Sequence, residues 1–433
     1  MRKKSRLLAS CIIAAGVMGY GSAAFADAEL DTLKRQIEVL SKRIADLEKE
    51  QVETKQTVQD TRDRAVLSTG KSPGSFKLPG TNTEFEIGGY VKADLIFDVN
   101  ESTGDAFVPE SISVSDADDD ERFRAHARQS RLFVKTKTPS EFGDVKTLLE
   151  GDFFGVGGNE IFSNSASFRL RHAYGEIGGF GAGQFWTNFM PIESYPSTVD
   201  FNGPAGIPFI RQAQIRYTHP VSDSLTVSGS LENSEFSGRN AAGNFSESTN
   251  IGIRAGLDKY PDATLAATYR GDFGLVKLAG VGRVLGSPVG NDEAFGYGVN
   301  LSGNTKLWEG GKLLGSLTYG DGVGRYILNG TGQDAFVDAS GDISTIEAYG
   351  LTAQVTQQVT DKLSLGLSYG RYEALDTFGA NDLEEVNTIH ATAFYKPTKR
   401  VTLGGEVVWG NRVNEDGASD DALRLQTSVQ LNF

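Results

Sequence analysis

Basic residues fall at every second position in several stretches of this chain: Arg131, Lys135 and Lys137, then Arg169 and Arg171, with Lys92, Arg216, Lys277 and Arg283 standing singly. In an extended backbone that spacing puts the cations on one face. Guanidinium and ammonium groups so arrayed bind anions through charge-assisted hydrogen bonds and need no covalent step. Carboxylates are interspersed at Glu86, Asp94, Glu150 and Asp152. Two readings stay open: a basic face that concentrates anions, or pairs that cancel each other. Covalent chemistry has little support. His126, His172, His219 and His390 are scattered, with no metal-ligand spacing and no nucleophile motif beside them, and no cofactor or metal is expected. The glycines of "GFGAGQ" at 179–184 precede no helical pattern, so they read as a tight turn and not a nucleotide site.

Positioning that face requires strands. Apolar and polar residues alternate over 86–98, 130–138, 145–154, 168–177, 181–189, 212–219, 225–232, 262–270, 275–284, 295–302, 312–319, 348–356, 363–370, 387–395, 401–409 and 423–433. These are about 16 segments close to the length of a tilted membrane strand. Segment 251–257 also alternates; an even strand number places it in a long loop. Short connections (140–144, 271–274, 357–362, 396–399) alternate with long polar ones (100–127, 234–249, 321–345), as at the two rims of a barrel. Phe433, Trp409, Tyr395, Tyr369 and Tyr319 fall near strand ends on the oily face, where an aromatic girdle sits. The other face reads Thr402, Gly404, Glu406; Ser364, Gly366, Ser368; and Gly296, Gly298, Asn300, which suits a water-filled lumen better than an apolar core. The expected fold is therefore an all-β transmembrane barrel of about 16 antiparallel strands. Loop 190–209 follows the fifth strand and is rich in Pro and Gly; it is expected to fold inward, with Asp200, Asn202 and Arg211 offering polar contacts.

The ends of the chain agree with a membrane address. Arg2, Lys3, Lys4 and Arg6 precede an apolar run to Tyr20, and Ala24, Phe25 and Ala26 provide a cleavage site after Ala26. "LASC" at 8–11 fits a lipobox, but too few apolar residues precede Cys11 for that reading. Cleavage at Ala26 removes this sole cysteine and four bases, leaving 38 bases against 56 acids, a balance of −18. Such acidity argues against nucleic acid as a partner. After the leader no apolar run reaches 18 residues, so a bilayer can be crossed only by a closed barrel.

Heptads from Leu30 place Leu30, Ile37, Ile44, Gln51, Val58 and Ala65 at a, and Leu33, Leu40, Leu47, Thr54 and Thr61 at d. This predicts an α-helical coiled coil over 27–67 and hence an oligomer, with two or three strands left open; packing on the chain's own body is the alternative. A Ser/Gly/Pro linker over 68–82 separates it from the barrel, 83–433, and the leader occupies 1–26. Acidic "DADDDE" at 116–121 could bind a divalent cation or bridge to lipopolysaccharide, though a solvated loop tip is the plainer reading.

Four stretches, "FKLPGTNTEFEIGGYVKADLIFD" (76–98), "RLRHAYGEIGGFGAGQFWTNF" (169–189), "DFNGPAGIPFIRQAQIRYTHP" (200–220) and "GDGVGRYI" (320–327), resemble the DcaP-like outer-membrane porins of Gram-negative bacteria. The resemblance spans the barrel and the coiled coil; apart from the start of the second, loops 100–127 and 321–345 lie outside it. It implies a homotrimer of 16-stranded barrels embedded among outer-membrane lipid and lipopolysaccharide. It implies passive uptake of small anionic solutes such as dicarboxylates and aromatic acids, with the helix in the periplasm. It implies also that arginines around the inward loop set selectivity, at Arg169, Arg171, Arg211 and Arg216 here. A plugged barrel acting as an envelope tether, a non-selective porin and an outer-membrane hydrolase are the rival readings.

Overall fold

Alternating side chains need a neighbour on each edge, and in a bilayer an unpaired edge is intolerable. The computed structural model describes residues 23–65, 68–70, 74–115, 121–155, 161, 163–240, 243–246, 259–287, 291–330 and 332–433. In it the sheet closes on itself. The strands are β1 (Glu84–Asp98), β2 (Arg131–Thr138), β3 (Val145–Gly155), β4 (Ser167–Ile177), β5 (Phe180–Trp186), β6 (Arg211–Pro220), β7 (Leu225–Glu232) and β8 (Asp262–Gly271). They continue as β9 (Gly274–Gly286), β10 (Glu293–Trp308), β11 (Gly311–Asp321), β12 (Glu347–Gln358), β13 (Leu363–Ala374), β14 (Leu383–Thr398), β15 (Val401–Asn414) and β16 (Ser419–Asn432). Each pairs antiparallel with the next, and β16 returns to β1 through the register Arg424↔Asp98 to Asn432↔Tyr90. The result is a closed 16-stranded barrel. Every predicted strand is present, and the first glycine of "GFGAGQ", Gly179, makes the turn between β4 and β5 with Gly178, while Gly181 and Gly183 lie in β5.

The outward face is apolar and bare: Ile87, Leu149, Ile215, Leu265, Leu367 and Leu431 are all exposed. Tyr319, Tyr395, Trp308 and Phe433 are also exposed near strand ends. The last strand of the chain thus presents oil outward while Arg424, Gln426 and Ser428 are buried inward.

Three features depart from the sequence-based picture. The end of loop 100–127 is strand, since Arg122–His126 pairs with the upper half of β1 while β2 pairs with the lower half. Only Phe123 marks its oily face, too little to show as alternation. Parts of loops 234–249 and 321–345 form a separate four-stranded sheet from Ser237–Asn240, Gly243–Ser246, Ala335–Val337 and Ile343–Thr345. The inner face, expected to meet only water, is partly covered: Ser368, Asn300 and Glu406 are buried beneath loops, and Phe189, Val281, Val323 and Tyr326 form an apolar cluster there.

Ser68–Thr69 pairs with Phe76–Lys77, and the latter pairs with Phe85 and Glu84, so the expected linker carries two short strand pairings. The helix α1 (Ala23–Ala65) forms a unit of its own. Its Leu30, Leu33, Ile37, Leu40, Ile44 and Leu47 are more than half exposed, an apolar seam without cover in one chain. Most of the expected leader (1–22), the acidic run 116–120 and segment 251–257 lie outside the described residues.

Candidate functional site

The connection between β5 and β6, residues 187–210, folds into the barrel, as its Pro and Gly content and its place after the fifth strand predicted. Its tip is fastened to the far wall. The Glu406 carboxylate on β15 accepts the backbone N–H groups of Val199 (2.7 Å) and Asp200 (3.1 Å). Lys92 on β1 donates to the Val199 carbonyl at 2.8 Å, and Thr388 on β14 accepts from Ala205 N at 2.9 Å. Lys277 on β9 holds the start of the loop through the carbonyls of Asn188 and Met190, both at 2.8 Å. Wall glycines make this seating possible: a Cβ at Gly350 would lie 2.0 Å from the Gly206 carbonyl oxygen. Gly206 itself has φ +80°, a conformation that favours glycine. Burial pushes the Tyr195 phenol well above its ordinary range, so it stays a neutral donor to the Asn202 carbonyl.

Residues 322–346 fill another part of the lumen. Arg283 on β9 sits between Asp334 (2.9 Å) and Asp262 (3.5 Å), all three side chains fully buried, and Arg325 and Tyr326 reach the same Asp262. Arg283 therefore does not line open space, contrary to the parity reading: parity gives the face, whereas the loop decides what covers it.

Between loop 187–210 and the wall lies a cavity of about 830 Å³. Lys92, Arg131 and Arg171 are among its lining residues, with Ser364, Thr392, Thr402, Ser428 and Gln430. Arg169 makes a bidentate pair with Asp152 (2.8 and 3.1 Å) and keeps about a third of its side chain exposed. Arg171 bridges Glu150 (2.8 Å) and Asp152 (2.7 Å), and Arg131 lies 3.6 Å from Glu150. Arg211 and Arg216 form no ion pair among the described residues. Arg216 donates to the Trp186 carbonyl at 2.6 Å, and Arg211 Nη1 is buried without a hydrogen-bond partner. Aromatic rings carry these cations instead: Arg211 lies 4.6 Å from the Trp186 centroid and 5.8 Å from Phe209, and Arg216 5.9 Å from Phe185. Five guanidiniums thus gather around Glu150 and Asp152, with the Glu232 carboxylate close enough to act on Arg216. Arg131 and Arg171 border the cavity and the other three stand behind them, a positive excess that attracts anions by field focusing.

The family model described as the Porin subfamily matches residues 72–430. This chain belongs to that family. Solved structures similar to it include the outer membrane channel DcaP of Acinetobacter baumannii, with TM-score 0.73 and 22% identity over 85% of this chain and 100% of that one. An anion-selective porin from Comamonas acidovorans has TM-score 0.54 and 14% identity over 81% of this chain and 100% of that one. The trimer form of OmpT from Vibrio cholerae has TM-score 0.52 and 12% identity over 81% and 99%. At these identities the likeness shows the fold. No curated protein matches the sequence. The family makes this chain an outer-membrane channel and speaks against an enzyme.

Of the residues singled out in the sequence, the porin gathers Arg131, Arg169, Arg171, Arg211 and Arg216 in one quarter of the barrel. Lys92 lines the cavity but is engaged with Asp94 (2.9 Å), Gln129 and the loop. Lys135 and Lys137 pair with Glu86 and Asp144 and are neutralised, as the second reading of the charge pattern expected. Asp200 and Asn202 brace the loop rather than offer free groups: Asp200 accepts the N–H of Phe107 (2.8 Å), Asn202 (2.9 Å) and Gly203 (3.2 Å), and Asn202 donates to the Phe107 carbonyl at 3.0 Å. The aromatic partners Phe154, Trp186, Phe201 and Phe209 were not anticipated; for Trp186 and Phe209 the available signal was their place in the arginine-bearing stretches "RLRHAYGEIGGFGAGQFW" and "PFIR", and for Phe154 and Phe201 there was none. His172 packs on Phe185 and Trp186, and His390 bonds Glu406 at 3.1 Å; among the described residues no metal-ligating cluster exists.

Proposed function

We propose that this porin conducts small organic anions, dicarboxylates and aromatic acids among them, by passive diffusion past a basic constriction. The observation that carries the reading is the pair Arg211 and Arg216, which stand beside three further arginines without an ion-pair partner among the described residues. Cations so placed replace part of an anion's hydration, while their spread along the wall keeps each site weak enough for release. A plugged tether has no use for such a charge surplus. The anion selectivity named for the Comamonas acidovorans porin is consistent with it. In liposomes carrying the purified protein, succinate and benzoate are expected to enter faster than neutral sugars of similar size. Equal rates for charged and neutral solutes would favour the non-selective reading.

The exposed seam of α1 supports association of three copies through a periplasmic coiled coil, with the leader removed after Ala26. An isolated helix with such a seam gains its stability by burying it. Deletion of 27–65 is expected to leave conducting barrels but to lower the temperature at which trimers dissociate on gels. An unchanged dissociation temperature would remove the helix from assembly.

A further inference from the structure

The tip of the inward loop carries one residue whose position the bracing does not explain. Phe201 follows directly on Asp200, whose backbone is held by Glu406 and whose carboxylate ties Phe107, Asn202 and Gly203 together. The backbone on either side of Phe201 is therefore fixed, and only its χ angles are free to move the ring. That ring is half-buried and stacks on Phe154 of β3, centroids 4.1 Å apart and planes 26° apart. Arg169 stands 5.3 Å from its centroid and Arg171 5.8 Å. Phe201 and Arg171 border the 830 Å³ cavity, whereas Arg169 and Phe154 do not. The ring thus borders the cavity beside the two guanidiniums, which share the Asp152 carboxylate.

We propose that Phe201 is a specificity-determining residue, an aromatic leaf that narrows the cavity beside Arg169 and Arg171 and yields to planar ring-bearing carboxylates. This deepens the anion-channel reading and rests on it. An aryl carboxylate offers what the Phe201 ring offers, a flat π face for Phe154 and for two guanidiniums, and adds a carboxylate for the same cations. When the side chain rotates away, such a solute takes its place in the stack. A saturated ring of equal size carries the charge but cannot restore the cation–π contacts, so it crosses less readily.

The test compares wild type, F201A and F201L in planar bilayers, measuring single-channel conductance in KCl and the permeability of benzoate relative to cyclohexanecarboxylate. Heat-modifiable gel migration shows that each variant is folded. The proposal expects F201A to raise conductance by about twofold. It expects both variants to reduce a wild-type benzoate preference of about threefold toward one, since leucine fills space without a π face. Folded F201A with wild-type conductance and wild-type benzoate preference would overturn it. The anion reading fails separately, through a wild-type reversal potential in a KCl gradient that shows no preference for chloride.

Discussion

Replacing Arg211 and Arg216 together by glutamine should lower the chloride-over-potassium permeability ratio about eightfold, because a charge at a separation of about 7 Å contributes about 0.3 kcal/mol after screening and acts with opposite sign on the two ions. These two arginines are the informative pair. Arg169 and Arg171 are tied to Glu150 and Asp152, so removing them would also strand the buried Asp152 carboxylate and blur selectivity with folding. Arg211 and Arg216 lean on ring faces and a carbonyl, and glutamine keeps a donor there while losing the charge. Reversal potentials across a KCl gradient measure the change. A variant as anion-selective as the wild type would move the selectivity elsewhere along the wall.

The largest effect on stability is expected at Arg283. Substituting methionine leaves Asp334 buried without a guanidinium and Asp262 with Arg325 alone at 3.5 Å, a loss of about 3–5 kcal/mol for a broken buried pair. The consequence is local before it is global, since this cluster holds residues 322–346 in the lumen. R283M should unfold at lower temperature by heat-modifiable migration and show noisier, larger conductance steps. Adding D262N and D334N should recover much of the loss, because the stranded charges are then gone. R283M with wild-type thermal behaviour would mean that the loop is held by its apolar contacts alone, through Val323 and Tyr326.

The wall of the barrel was readable from residue parity, and the reasons are physical. In β16, Leu425, Val429 and Leu431 must meet hydrocarbon, so nothing disturbs the period of two. Strand ends were less legible where lipid stops: β10 runs six residues beyond the expected 302, through "GNTKLW", since Gly, Asn and Lys at that rim are under no demand to alternate. Charge pairing was half legible. Parity put Lys135 and Glu86 on the same face, where the register pairs them, but could not tell that Arg216 would find a carbonyl and no ion-pair partner among the described residues. What the lumen holds was not legible at all. Ser368 and Asn300 looked like pore wall and are covered by loops, because contacts between a loop and a wall more than a hundred residues away leave no local period. The wall glycines were visible as small residues; that Gly350 is small to admit the Gly206 carbonyl is knowledge that only the fold supplies.

The sign of the charge that the open lumen presents decides whether the channel favours anions. Wild-type protein reconstituted in a planar bilayer under a tenfold KCl gradient should give a reversal potential of the sign set by chloride, reduced in R211Q/R216Q. A reversal potential set by potassium, or no ion conductance from folded protein, would contradict it.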